Sequence, residues 1–464
     1  LPFFMLRDPC IRALSNARGG DAGGGGGGNA SYSVWSALYG GDGAEEMEGV
    51  LATSDGGYVV VGATSSWGRG ETDAWVVKVD TAGGVRWQKT YGGPADEILI
   101  DVEEAADGGI IAAGWTDSYG AGGTDMWVVK LTAQGDVAWQ NTYGGSGTEQ
   151  AWSVDPTGDG GYVVAGGTTS FGAGGSDVWV LKLDAGGSVV WQKAYGGPED
   201  EAGGGEYAEY VARVFEDGDG NYVAAAETFS FGSGQNDIWV FKLDPDGSLL
   251  WEKAYGGAYD ESLWMITETA EGKYLIPGVS VTFSPDESGD VWALQLGAGG
   301  DVEWQNVYAL ASHWFEALSV TATADGGSLL GTYYEEGDSD WDDALLRLGW
   351  GGEPVWQRKY EYGWDWPNAL VELDDGRLVV AGVAWPADDD REEDLWLMKT
   401  ASDGTTGGSC SNVQGLTVSR VATGAQPVDT DATVTVTGVS AQASSAAPQE
   451  SGAAPSYLCG ASGG

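Results

Sequence analysis

Seven tryptophans recur at a near-constant interval along this chain, and that recurrence limits the fold more than any other feature. WQKTYGG begins at Trp87, WQNTYGG at Trp139, WQKAYGG at Trp191 and WEKAYGG at Trp251. A looser SVWSALYGG surrounds Trp35, and decayed copies WQNVYAL and WQRKYEY start at Trp304 and Trp356. The intervals are 52 (87 − 35), 52, 52, 60, 53 and 52 residues, so the fourth carries an insertion. Self-similarity at a period of roughly 20–50 residues marks a repeat array, in which each unit buries its apolar face against its neighbours.

The second unit shows the grammar of the repeat. EILIDVEEA reads as a strand, ADGG as a tight turn, GIIAAG as a second strand and TDSYGAGGTD as a glycine-rich loop. MWVVKL is a third strand, TAQGD another turn and VAWQNTYGG the fourth strand. Short Val-, Ile- and Trp-rich runs between Gly and Asp turns specify an all-β unit with no helix-period segment. Middle strands such as YVVVGAT at Tyr58 and DVWVLKLD at Asp177 are nearly continuous apolar runs, as a sheet buried on both faces requires. Four strands in each of seven units predict a seven-bladed β-propeller over residues 31–400, which leaves only short sheet edges. The last unit has strands at about Trp366 to Glu372, Gly376 to Gly382 and Asp394 to Lys399, and no WxxxYGG strand after them. The strand around Trp35 has no unit of its own, so it is expected to complete the last blade and close the ring.

Charge narrows the function. Lysine and arginine total 21 against 70 acidic residues, a net charge of −49, which argues against nucleic acid or an anionic membrane as partner. An aromatic content of 11% is too rich for a disordered chain, so the charge sits on a folded surface. No run approaches the roughly 20 apolar residues of a membrane span.

Two flanks lie outside the array. Residues 1–30 hold an apolar tip, LPFFML, a basic segment and a glycine run from Gly23 to Gly28, an arm on a flexible tether. The tip is too short for a complete signal core, so the numbering is expected to begin after processing or at the first ordered residue. Residues 401–464 turn to Ser, Thr, Ala and Val. GLTVSRV and ATVTVTGVS, the latter at Ala432 to Ser440, alternate with period two and predict one or two strands. Such a strand pair either lies on its own propeller or augments a sheet edge of the next subunit. Cys410 and Cys459 bracket this tail and are expected to form a disulfide in a secreted protein, leaving Cys10 free or bonded to another chain.

Units of the form DGGYVVVG, D-x-W-V-x-K-L-D and G-x-x-x-W-Q-K-x-Y-G-G resemble the propeller repeats of secreted bacterial and archaeal surface proteins, and are similar in outline to Kelch and quinoprotein propellers. The resemblance covers nearly all of residues 33–399 and implies the propeller fold together with an extracellular or cell-surface location. KLDAGGSVVWQ at Lys182 is similar to the docking pattern of pyrroloquinoline quinone enzymes. Those usually have eight blades, calcium and a central catalytic aspartate, whereas seven blades are counted here.

Most acidic positions that stand out are explained by repetition. Asp73, Asp125, Asp177, Asp237, Asp290, Asp343 and Asp394 each precede a third strand. A group needed for chemistry appears once or twice, so seven copies are expected to accept backbone N–H bonds at the loop mouth. The DGG turns at Asp55, Asp107, Asp159 and Asp325 suit hairpin positions of positive φ. The seven repeat tryptophans are expected to be core packing. Carboxylate pairs Asp96 and Glu97, Asp200 and Glu201, and Asp260 and Glu261 recur at the start of innermost strands, where a ring of them can bind calcium or a basic ligand. Asp217, Asp219 and Asn221 are spaced like calcium ligands, but FEDGDGNYVAAAE reaches Glu227 only inside a strand, which favours a hairpin turn. The cluster from Ala387 to Asp394 reads as a solvated loop. His313 is the only histidine, so no multi-histidine metal site exists and no catalytic triad is expected.

The reading that results is a non-catalytic, extracellular structural or interaction protein without an obligatory cofactor. It is expected to self-associate into a homopolymer through arm and tail, since heterologous contacts of that kind build open filaments. The alternative is a carbohydrate-binding or carbohydrate-processing propeller using Trp67, Tyr119, Phe171 and Phe231, which occupy one equivalent loop position. A redox quinoprotein ranks third. The sequon at Asn29 permits a glycan.

Overall fold

A computed structural model describes residues 34–202, 212–285, 287, 289–310, 314–335, 341–360, 364–385, 393–406 and seven short strands beyond them. Among the described residues there is no helix. Seven antiparallel sheets follow one another along the chain, each with four strands from the repeat array. Blades one to six span 45–91, 97–143, 149–196, 212–255, 261–309 and 315–360. Blade seven joins Trp364–Glu372, Leu378–Trp385 and Asp394–Thr400 to the N-terminal strand Trp35–Tyr39. The closing strand pairs antiparallel with Asp394–Thr400, with Trp35 opposite Lys399 and Leu38 opposite Trp396. The ring is therefore sealed by the two ends of the array, as the strand count requires.

The repeat motif is a device for holding one blade to the next. The tyrosine of each WxxxY donates its hydroxyl to a glycine carbonyl in the following blade's outer hairpin. Tyr39 reaches Gly83 at 2.7 Å, Tyr91 reaches Gly135 at 2.6 Å, and Tyr143, Tyr195, Tyr255, Tyr308 and Tyr360 reach Gly187, Gly247, Gly300, Gly352 and Gly404. The tryptophan four residues earlier lies over the same glycine, which has positive φ in every copy. A Cβ on Gly135 would stand 2.8 Å from the Trp87 ring, so glycine is required twice over, by sterics and by backbone. Trp87, Trp139, Trp191, Trp251, Trp304 and Trp356 are half-buried lids between blades, and of the seven repeat tryptophans Trp35 alone is fully buried. The core indoles are those of the third strands, Trp75, Trp127, Trp179, Trp239, Trp292 and Trp396.

A second latch acts at the opposite end of the sheets. Glu45, Glu97, Glu149 and Glu261 open innermost strands, Glu201 forms an isolated bridge to Thr228, and all five are at most 1% exposed. Each accepts a hydroxyl from the neighbouring strand and an N–H from the YGG corner before it; Glu97 takes Thr116 Oγ1 at 2.6 Å and Gly93 N at 2.6 Å. Buried polar groups stay affordable only when so satisfied. The middle strands between the latches are buried along their whole length, as in Tyr58–Thr64 and Asp177–Leu183.

The tail departs furthest from expectation. It contributes seven short strands rather than one or two, and none of them pairs with another. Val413–Gly415 adds to blade six, Ser419–Ala422 to five, Val428–Asp429 to four, Thr433–Val436 to three, Gln442–Ala443 to two, Gln449–Glu450 to one and Ser456–Cys459 to seven. The chain thus circles the rim against the direction of the array and covers each outer edge with a fifth strand. Its register is uniform. Lys359, Val307, Ala254, Ala194, Thr142, Thr90 and Leu38, each just before the repeat tyrosine, face Gln414, Val421, Val428, Thr435, Gln442, Gln449 and Ser456. Each partner lies seven residues after the last (421 − 414 = 7, through 456 − 449 = 7), so the belt advances one blade per heptad. Exposed edges are templates for unwanted pairing, and the belt removes them.

Candidate functional site

The centre of the ring is where the repeat stops repeating. Innermost strands of blades one, two, three, six and seven each carry a bulge, at Glu48, Ile100, Trp152, Leu318 and residues 367–368. In blade five the strand is interrupted between Leu263 and Thr267, at Trp264. A bulge re-aims a side chain, and here these irregularities bring Glu48, Trp152, Trp264, Leu318 and Asn368 to one cavity. The residues at this position are Glu48, Ile100, Trp152, Trp264 and Leu318 in blades one, two, three, five and six, and no local pattern in the sequence marks them.

Glu48, Trp152, Arg213, Trp264, Leu318, Tyr333, Trp366 and Asn368 enclose a cavity of about 270 Å³ at one end of the channel. Trp152 packs on Trp115 with ring centroids 6.1 Å apart, and Tyr333 on Trp366 at 6.4 Å. Trp366 is 40% exposed, so one indole of the lining stands open to solvent. Glu316 sets the aromatic wall by accepting Trp264 Nε1, Trp314 Nε1 at 3.0 Å and Tyr333 Oη at 2.9 Å. Arg213 forms the floor: Nε donates to Trp264 O at 2.8 Å and Nη1 to Trp152 O, so the guanidinium spans blades three to five. Asn368 Nδ2 donates to Met47 O at 2.7 Å and ties blade seven to blade one.

Below Arg213 the channel widens into a bore of about 500 Å³ lined by Asp101, Glu103, Asp155, Glu216 and Glu268. Burial pushes Asp155 up to about 7, with Asp101 and Glu216 adding to the effect against a bond from Glu216 N. Burial also raises Asp101, Glu103 and Glu268, Glu103 furthest, with Asp101 and Asp155 reinforcing it. Four of these acids have structural work across blades: Asp101 accepts Val154 N at 2.9 Å, Asp155 accepts Glu216 N at 2.8 Å, Glu216 accepts Gly158 N and Glu268 accepts Gly218 N at 3.2 Å. Among the described residues no three carboxylates, imidazoles or thiols converge as a ligand set for a metal ion.

Residues singled out by sequence fall mostly elsewhere. Asp73, Asp125, Asp177, Asp237, Asp290, Asp343 and Asp394 are at most 4% exposed. Asp73 accepts the N–H groups of Arg69 and Gly70, and Asp237 those of Ser233 and Gly234. The DGG aspartates are ion-paired to third-strand cations: Asp55 to Lys78, Asp107 to Lys130, Asp159 to Lys182 and Asp325 to Arg347. Asp217 belongs to this set. It holds Lys242 at 2.6 Å and accepts the N–H groups of Asp219 and Asn221, so the calcium-like spacing is a hairpin. Trp67, Phe171 and Phe231 lie 5.5, 5.2 and 5.4 Å from the third-strand indoles Trp75, Trp179 and Trp239, and Tyr119 bonds Gly92 O, so these four pack into their own loops. His313, Cys10, Cys410, Asn29 and most of the cluster from Ala387 to Asp394 lie outside the described residues. Cys459 ends the last belt strand, opposite Ser36.

Residues 105–137 match a family described as "Domain of unknown function (DUF5122) beta-propeller". No curated protein gives a significant match to the sequence. Similar solved structures include the polysaccharide lyase Uly1, with TM-score 0.43 and 11% identity over 85% of this chain and 95% of that one. A protein of unknown function from Dyadobacter fermentans has TM-score 0.41 and 12% identity over 79% and 98%. A subtype N11 neuraminidase-like protein of A/flat-faced bat/Peru/033/2010 (H18N11) has TM-score 0.38 and 13% identity over 80% and 98%. Likeness at this level carries no information about chemistry.

Proposed function

We propose that this chain is an extracellular, non-catalytic binding protein that takes a saccharide unit into the aromatic mouth of its channel. The supporting observation is the bulge-placed pair Trp152 and Trp264 with Tyr333 and Trp366 around a cavity of about 270 Å³. Apolar faces with a few fixed polar groups at the edge suit a ring that presents C–H bonds on its faces and hydroxyls on its rim. Glu48 and Asn368 supply the polar edge. Binding is favoured over hydrolysis because, of the two carboxylates at the mouth, Glu48 and Glu316, the latter already accepts three donors. A glycosidase needs two carboxyl groups free to trade protons.

The test is titration calorimetry of the full chain with saccharides selected on a glycan array, repeated with Trp366→Ala and with Trp350→Ala. Trp350 is 60% exposed on a hairpin of blade six, away from the mouth. Affinity should fall ~10-fold or more in the first variant, the scale of a stacking contact, and stay unchanged in the second. Absence of any saccharide ligand, or equal affinity in all three proteins, would overturn the reading. Chain cleavage of the bound saccharide would replace it with an enzymatic one.

Self-association is the second part of the proposal. With every outer sheet edge covered by the belt, contacts between copies fall to the arm 1–30 and Cys10, or to a belt lent by one copy to another. Electron microscopy of the secreted protein decides it: filaments are expected, and single discs at every concentration would remove this part alone.

A further inference from the structure

Five blade junctions bring an aspartate and a glutamate together around the first glycine of a YGG corner. Asp237, at the start of the third strand of blade four, meets Glu261 of blade five beside Gly256. The oxygens that meet, Asp237 Oδ1 and Glu261 Oε2, lie no more than 2.6 Å from the point a Cβ would occupy on Gly256, so at most 2 × 2.6 = 5.2 Å separates them. Asp177 and Glu201 are placed in the same way at Gly196. Asp73 with Glu97, Asp125 with Glu149 and Asp394 with Glu45 repeat the arrangement at Gly92, Gly144 and Gly40.

The hydrogen bonds leave one oxygen over. Asp237 Oδ2 accepts the N–H groups of Ser233 and Gly234, both at 3.0 Å. Glu261 Oε1 accepts Ser280 Oγ at 2.7 Å, and its Oε2 accepts Gly257 N at 2.6 Å. Asp237 Oδ1 is buried and has no donor among the described residues, and Asp177 Oδ1 is in the same position; both residues are only 1% exposed. A carboxylate oxygen so placed against a second carboxylate has lost its hydration and gained no hydrogen bond. One proton on Oδ1 removes the repulsion and supplies the missing donor toward the glutamate. We propose that Asp237 with Glu261, and Asp177 with Glu201, each hold one shared proton, a carboxyl–carboxylate hydrogen bond that staples blade four to both its neighbours and opens at alkaline pH.

A decayed copy of the motif supplies a control within the same molecule. At the junction of blades five and six the innermost strand opens with Phe315, where Glu261 stands in blade five. WQNVYAL puts Leu310 in the place of the second corner glycine, and its N–H donates to Asp290 Oδ1 at 3.3 Å. There the oxygen receives a backbone donor and needs no proton. Ionisable groups around the two pairs are acidic as well: Asp260 acts on Asp237, Asp200 acts on Asp177, and Glu227 on the adjoining strand bonds Asn236 Nδ2. Burial raises all four carboxyls of the pairs. Their contribution to stability is complete below the unfolded value of about 4 and is lost as pH rises through the raised folded values.

Asp177→Asn/Asp237→Asn tests the shared proton, because an amide sets a permanent N–H donor at the Oδ1 position and keeps an acceptor for the loop N–H groups. In calorimetry of the full chain the double variant should melt with the wild type at about pH 5 and above it at about pH 9. Asp290→Asn, which turns an N–H toward Leu310 N, should melt lower than wild type at both. A double variant that loses stability at both pH values, as Asp290→Asn does, would overturn the proposal. Infrared difference spectra of wild type against the double variant at about pH 5 should show the C=O stretch of a protonated carboxyl, well above the usual range of an aspartate. Absence of that band would also overturn it. So would a wild-type melting temperature that rises with calcium and falls with a chelator while the double variant responds to neither, since a cation would then stand where the proton is placed.

Discussion

Trp396 donates its indole Nε1 to Ser36 Oγ at 2.7 Å, joining residues 360 positions apart in the chain. Both are fully buried, and Ser36 belongs to the strand that completes the last blade. Ser36→Ala leaves the indole N–H without its partner and should destabilise the fold by about 1–3 kcal/mol. Deleting residues 31–41 removes the strand altogether and should lower the melting temperature far more. Calorimetry measures both, and an unchanged melting temperature in the deletion would disprove closure through this strand.

Two glycines with the same backbone separate strain from packing. Gly135 (φ +77°) sits under Trp87, while Gly108 (φ +75°) has nothing within 4 Å of an added Cβ. Gly108→Ala should cost about 1–2 kcal/mol, the left-handed backbone penalty alone. Gly135→Ala should cost that and a further ~1–3 kcal/mol, because the indole lid must shift. Equal losses in urea unfolding would mean that the tryptophan is not seated on the turn.

Repeated ion pairs differ in worth according to burial. Lys182 and Asp159 meet at 2.9 Å with side chains 4% and 65% exposed; solvent screens the pair from the aspartate's side and Lys182 keeps Leu183 O as a partner, so Asp159→Ala should cost about 1–2 kcal/mol. Lys242 and Asp217 are 8% and 2% exposed at their side chains. Asp217→Ala strands a buried ammonium and should cost about 3–5 kcal/mol. Comparable losses at the two sites would contradict the burial argument.

The pH dependence has two opposed arms. Hydrogen bonds from Thr157 and Lys182 hold Asp159 down at about 2, and Asp55 and Asp107 are lowered first by their lysines. Their stabilisation is present above the unfolded value of about 4 and is lost as pH falls toward 2. Asp155, raised to about 7, binds its proton more tightly folded than unfolded, so stability declines as pH rises from about 4 through 7. Thermal stability should therefore peak near pH 4–5, about where both arms are satisfied. Asp155→Asn should be more stable than wild type at pH 8 and indistinguishable from it near pH 3, both being values chosen about the shifted pKa. A difference that does not vary with pH would exclude the bore as its source.

Much of the architecture was legible because it recurs. Seven copies of WxxxY, five of them continuing as YGG, announce seven blades, and a three-strand unit at one end with a lone strand at the other announces the closure. Boundaries slipped where Pro367 and a bulge extend the last innermost strand back to Trp364, and its second strand runs to Trp385. Trp87 and its equivalents pack against the core from a half-buried place between blades, a detail that residue type does not reveal because a large apolar ring suits a lid as well as a core.

Local pattern by itself determined the strand type, the blade count and the turn chemistry, since alternation, period and Asp-Gly hairpins are properties of a few consecutive residues. The tertiary structure alone decided what gathers on the axis and what wraps the rim. Trp152, Arg213, Trp264 and Trp366 are far apart in sequence and meet because the ring curves them inward. The tail forms strands because seven ready-made edges present unpaired backbone to it, a partner that no window of its own sequence contains. Side-chain periodicity reports which face is buried, whereas main-chain pairing between distant segments leaves almost no mark on residue type.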